Sequence, residues 1–149
     1  MSKVSDIFDA LEVVVEAALP GYSELPNAYV PEQNPKIFMN KGYAIGIGEG
    51  ANSERLLSNK ESIDRSFEIV FVNQLNATET NNALIKTQSK QIFEDAFLVL
   101  SAIEKDNDLG QLCVKAKYDS DSGLGFMDEE KQRYFILTMV VSVEYFETL

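Results

Sequence analysis

The chain contains no histidine and a single cysteine, Cys113. The usual zinc ligand sets are therefore missing, as are Ser–His and Cys–His nucleophile pairs. One cysteine also excludes an internal disulfide. Cations are scarce: 13 Lys and Arg stand against 24 Asp and Glu, a formal charge of −11. Gripping nucleic acid by its phosphates requires Lys and Arg to displace counterions, and an anionic membrane repels an acidic surface. Both partners are disfavoured. No run of 18 or more apolar residues occurs, so no helical membrane span is expected. The N-terminal MSKVSDIFDALEVVVEAALPG holds Asp6, Asp9, Glu12 and Glu16 inside its apolar pattern, unlike the unbroken apolar stretch of a signal peptide. A protein made and folded in a cytoplasm is the expectation. With 149 residues, 45% of them hydrophobic, the chain suffices for one domain with its own core, spanning 1–149.

Periodicity supplies the elements. Val4, Ile7, Phe8, Leu11, Val14, Val15, Ala18 and Leu19 share one face of a helix that Pro20-Gly21 ends. Residues 21–36, with Pro26, Pro31 and Pro35, read as an extended surface connector. A strand follows over 37–48, with Tyr43, Ile45 and Ile47 on one face and Ala44, Gly46 and Gly48 on the other. Residues 49–62 read as a long polar loop. Residues 63–73 form a second strand, placing Phe67, Ile69 and Phe71 opposite Ser66, Glu68, Val70 and Val72. Residues 76–103 form the longest helix, where Asn76 and Glu79 have capping-box spacing. Its stripe is Ile85, Ile92, Phe93, Ala96, Val99, Leu100 and Ile103, with Leu84 and Leu98 outside it. Residues 112–118 alternate as a third strand, 119–131 form a second long loop, and 133–146 form the last strand. The expected fold is α+β: one mixed or antiparallel sheet of about four strands packed by two helices, in the order α-β-β-α-β-β.

The last strand carries a wholly apolar face, Phe135, Leu137, Met139, Val141, Val143 and Tyr145. Its other face is mixed, since Tyr134, Ile136 and Val140 interrupt polar positions. Two helices cover only one side of such a sheet, so the connector or a neighbouring subunit is expected on the other. Val13 and Leu98, displaced from their helical stripes, point to further contacts.

No chemical motif stands out. Gly46, Gly48 and Gly50 lie within and after a strand, beside Glu49, so they read as close packing or a bulge rather than a phosphate cradle. Asp119, Asp121, Gly123 and Glu130 partly follow a calcium loop, but the glycine comes one residue early and no helix pair flanks it. Cys113 reads as a small, half-buried thiol. No catalytic, cofactor or metal residue is assigned, and neither an enzyme nor a cofactor is expected.

Taken together, several stretches follow a known pattern. They are the helix ending at Leu19-Pro20-Gly21, the strand Lys41-Gly42-Tyr43-Ala44-Ile45, and the strand from Arg65 to Phe71 before a long helix. The acidic Asp121-Ser122-Gly123 loop and the closing strand from Tyr134 to Tyr145 complete it. In this order the chain resembles the tail terminator (tail completion) proteins of long-tailed bacteriophages over nearly its full length. The resemblance implies a non-enzymatic virion protein, assembled in the host cytoplasm, that forms a six-fold ring on the tail tube. Such a ring ends tube polymerisation and meets the head–tail connector. Six chains at −11 each carry about −66, so DNA would pass the lumen without sticking. Val13, Leu98, Tyr134, Ile136 and Val140 are the expected subunit interface. Asn52, Arg55, Lys60, Ser120, Asp121, Phe126 and Met127 are the expected loop contacts to tube or connector. The alternatives are a head-completion or neck adaptor, and a carboxylate-based enzyme or small-ligand module.

Overall fold

Helix α1 (Lys3–Ala18) buries Ile7, Leu11 and Val15, one residue per turn, with Val4, Phe8 and Val14 packed at its margins. It stops where the Leu19 N–H donates to the Val15 carbonyl (2.8 Å) and the Tyr22 N–H to that of Leu19 (3.0 Å), across a Pro20 that has no N–H. The computed structural model describes residues 3–25, 41–57, 60–75, 82–129 and 132–148. After α1 come β1 (Ser23–Glu24), β2 (Lys41–Leu57), β3 (Lys60–Leu75), α2 (Asn82–Lys105), β4 (Lys115–Asp121), β5 (Gly125–Glu129) and β6 (Gln132–Thr148). Residues 26–40, including most of the expected connector, and 76–81, 130 and 131 lie outside the described residues.

The expected four strands in the order α-β-β-α-β-β are overturned. Among the described residues the sheet has six strands, ordered β1-β2-β3-β6-β4, and β5 also pairs with β6. Only β1–β2 is parallel. β3 pairs with β6 from Leu75–Arg133 to Lys60–Thr148, so β4 and β5 follow one another along the opposite edge of β6. The missed strands have no periodicity to detect. β1 is two residues long and two of the five residues of β5 are acidic. Both exist because backbone N–H and C=O groups beside an open edge pair with it.

Both expected loops are largely strand. Residues 49–57 and 60–62 continue β2 and β3 as one hairpin, with register shifts at Ile47/Gly50, Asn52/Glu54 and Arg55/Leu57. Residues 119–121 and 125–129 belong to β4 and β5. Ser122 bridges the gap between them. Its N–H donates to the Thr138 carbonyl (2.9 Å) and its hydroxyl accepts from the Thr138 N–H (3.0 Å). The expected strand over 112–118 begins only at Lys115. Ahead of it Leu109, Gly110 and Gln111 are successively left-handed (φ 49°, 68° and 71°), which no strand can contain. Burial of the Leu109 side chain holds that turn in place.

The main core lies between the helices and one sheet face. Cross-strand pairs Phe67–Val141, Ile69–Met139 and Phe71–Leu137 form its floor, and Ile92, Val99 and Ile103 of α2 join Ile7, Leu11 and Val15 as its roof. A smaller cluster occupies the outer face, where Ala44, Val70 and Val72 are buried against Leu25, Met127, Tyr134 and Ile136.

The glycine repeat is a bulge, as its position in the strand suggests. The first register shift falls between Ile47 and Gly50 and brings Gly50 opposite Arg65. The Arg65 guanidinium lies so close over Gly50 that an added Cβ would meet it at 2.6 Å. Arg65 donates to the Gly48 carbonyl (3.1 Å) and to Tyr145 Oη (3.1 Å). Gly50→Ala pushes on the far end of the flexible Arg65 side chain, which can swing aside, so it is expected to cost only about 0.5–1.5 kcal/mol from weakened hydrogen bonds. Gly21→Ala, with nothing within 4 Å, serves as the control. Urea unfolding of both variants measures the difference.

Candidate assembly surfaces

The helical layer turns an apolar surface away from the core. α2 packs through the line Ile92, Ala96, Val99 and Ile103, so residues that step off this line face outward. Phe93, expected in the buried stripe, is 41% exposed, and Phe97, four positions on, is 61% exposed. They flank the packed line rather than sit on it. Lys86 and Lys90 continue the same stripe toward the helix N-terminus at i, i+4 and i+7 spacing, and both are exposed. Leu98 (51%) lies on the other flank of α2, and Val13 (65%) on the outer side of α1. Phe97 was legible as the fourth-residue partner of Phe93 but carries no signal that separates it from the core.

The outer sheet face holds the other three expected interface residues. Tyr134 and Ile136 are half-buried in the small cluster with Val70 and Val72, and Val140 lies farther along β6, opposite Glu68. The five expected residues therefore form two groups on opposite sides of a two-layer molecule. Beyond Val140 the outer face becomes charged, with Asp64 and Glu144 directly opposite each other and Lys115 and Lys117 of β4 in register beside Glu144 and Ser142.

The expected contact residues also divide. Asn52 donates to Glu61 (3.1 Å) within the β2–β3 hairpin, and Arg55 pairs with Glu61 in the ladder. Lys60 opens β3 with its ammonium 4.9 Å from the Phe146 ring. Ser120 follows a bulge and pairs with Val140. Phe126 and Met127 are neighbours in β5. Phe126 is exposed and packs on Phe135 (5.1 Å between ring centres), while Met127 joins the outer cluster. Both carboxylate oxygens of Asp121 are engaged internally, by Tyr118 Oη (2.7 Å) and the Gly123 N–H (2.8 Å). These donors hold its carboxyl below the usual range. The partial calcium pattern thus serves as a turn at this residue, and Glu130 lies outside the described residues.

Two polar groups went unread in the sequence. Asp95 is buried within the apolar stripe of α2, accepting from Tyr22 Oη (2.7 Å) and Gln91 Nε2 (2.9 Å), with the Lys41 ammonium at 3.7 Å. Burial first, and then the bond to Asp95, raise the Tyr22 hydroxyl far above its ordinary value. This network ties α2 to the end of α1 and the start of β2. An acid at i+3 from Ile92 and i−4 from Val99 was its visible signal. The second group is Glu12, Glu16 and Glu24, whose carboxylate oxygens lie within 4.8 Å of one another on α1 and β1. Tyr43 Oη donates to Glu16 (2.9 Å). A hydrogen bond to Glu24, then desolvation and the charges of Glu24, Asp9 and Glu16, push the Glu12 carboxyl up to about 7. The i, i+4 pair Glu12–Glu16 is visible in sequence, whereas Glu24 arrives only through β1. These three are the acidic group among the described residues placed to share a proton or a cation. Cys113 sits before β4, not within it, and burial followed by Asp108 and Asp106 pushes its thiol up to about 11, which leaves it unreactive.

The folded state binds the Glu12 proton more tightly than the unfolded chain. The associated stability is fully present below about pH 4.5 and is lost as pH rises through about 7. Glu12→Gln is expected to stabilise the protein by about 1 kcal/mol at pH 8, after screening by solvent, and to change little at pH 4. Urea unfolding at both pH values tests this. Tyr22→Phe removes a donor from buried Asp95 and is expected to cost about 1–3 kcal/mol, read by the same method at pH 7. No family model matches the chain and no curated protein matches it, so these surfaces carry the functional reading.

Proposed function

We propose that this protein is a non-enzymatic virion component of the tail terminator type, which closes into a ring on the tail tube, ends its polymerisation and receives the head connector. The observation that carries the reading is the pair of apolar surfaces on opposite sides of the molecule. Tyr134, Ile136 and Val140 lie on the outer sheet face, and Val13, Leu98, Phe93 and Phe97 lie on the helical layer. Two different patches on opposite sides suit heterologous, head-to-tail contact, which closes into a ring when the rotation permits. An isologous dimer would need only one. The order of sequence features supplies the resemblance to tail terminators. The formal charge of −11 per chain suits a lumen that DNA traverses without adhering.

A neck adaptor would use the same two surfaces and differ in the partner it meets, so binding separates the two. Light scattering on size-fractionated protein, alone and with purified tail tubes, is expected to give a six-fold ring that caps tube ends. Failure to associate in isolation and failure to bind tubes would remove the reading, and binding to portal-side connectors instead would favour the adaptor. Val140→Lys places a charge in the outer sheet face, opposite Glu68, without touching the main core. It is expected to weaken subunit association by at least about a hundredfold, the effect of about 3 kcal/mol at an interface hot spot. The melting temperature should stay within a few degrees.

A further inference from the structure

The exposed stripe of α2 is ordered along its length. Lys86 and Lys90 come first, then Phe93 and Phe97, all at fourth- or third-residue spacing and all exposed. Two phenylalanines in line on the outer side of a helix are uncommon on a surface that faces water alone. Neither lysine is in an ion pair among the described residues. The stripe is thus cationic at one end and aromatic at the other.

The outer face of the sheet has the complementary order. At one level Asp64 of β3 stands directly opposite Glu144 of β6, at the second level beyond it Glu68 stands opposite Val140, and next Val70 stands opposite Thr138. Like charges placed directly across a ladder destabilise it unless a cation intervenes. Lys115 also pairs with Glu144 in register, yet none of the three acids is in an ion pair among the described residues. At the intervening level Ser66 faces Ser142, with Lys117 of β4 beyond Ser142, so over β3 and β6 the surface between the acids and Val140 is low enough for a side chain to settle on it.

The two orders also agree in length. Lys86 to Phe97 is eleven residues of helix, about 17 Å. Glu144 to Thr138 is six residues of strand, about 20 Å. We propose that the Lys86–Phe97 stripe of α2 docks along the outer sheet face of a second copy of this chain, with the lysines over Asp64, Glu144 and Glu68 and the phenylalanines over Val140 and Thr138. Every copy carries both surfaces, so the contact runs head to tail and repeats. The inference rests on the ring reading for closure of that repeat, and it adds the faces that mate and the polarity with which they do so.

The test is directed cross-linking of the full chain in a Cys113→Ser background. Phe97→Cys combined with Thr138→Cys is expected to give a ladder of disulfide-linked multimers under mild oxidation, resolved without reductant. Phe97→Cys combined with Glu49→Cys should give none. Lys86→Glu with Lys90→Glu is expected to weaken association at least tenfold, and adding Asp64→Lys with Glu68→Lys should restore it. A protein that is oligomeric by light scattering but gives no ladder, or whose association ignores the charge reversal, overturns this docking while leaving the ring reading intact. A monomer at 

about 100 µM, where a contact of about 5.5 kcal/mol would be half formed, overturns the docking as well. The ring reading then falls only with loss of tube binding.

Discussion

Strand β6 is paired along both edges, with β3 on one side over sixteen residues and β4 and β5 in succession on the other. The rest of the molecule takes its position from that strand. Its inward residues, Phe135 to Tyr145 at every second position, are buried, and a slip of one residue would turn all of them to the outer face. The register of β3 follows, because Phe67, Ile69 and Phe71 must meet Val141, Met139 and Leu137 on the same side. β2 is then registered on β3, and the two helices close over the face that results.

A sheet covered on one side leaves its other face to be dealt with differently. Here that face divides into an apolar half, which the chain partly covers with Leu25, Met127, Tyr134 and Ile136, and a charged half in which Asp64, Glu68 and Glu144 stay half-exposed. Leu25 reaches this position because β1 runs parallel to β2 and Gly42 has no side chain to obstruct it; a Cβ there would come within 2.9 Å of Leu25. The same edge brings Glu24 beside Glu12 and Glu16. One short strand and the residue after it therefore cap the outer cluster and bring a third carboxylate to Glu12 and Glu16.

The acidic composition is not spread evenly in its consequences. Asp95 is buried but has Tyr22, Gln91 and Lys41 around it, so its desolvation is offset by donors and a cation. Asp121 and Asp128 are held in local contacts, the first by a turn and the second by Arg133 at 2.9 Å. Asp64 and Glu144 face each other across the ladder with Lys115 in register beside Glu144, but neither is in an ion pair among the described residues, and the proposed partner brings further lysines there.

Apolar spacing alone determined a good deal about this protein: the two helices, the inward faces of β3 and β6, and the bulge-like character of the glycine repeat. These are local properties, since a period of 3.6 or 2 records which residues meet the core. The number of strands was not local. Residues 49–57 and 125–129 have no apolar alternation to reveal them, and they become strands because an edge stands beside them with unpaired N–H and C=O groups. The expected interface residues were visible as exceptions to the patterns, but their division between the two sides of the molecule was not. Neither was the meeting of Glu12 with Glu24 or of Asp95 with Tyr22, because residues distant in sequence become neighbours only when the sheet register and the helix packing bring their elements together.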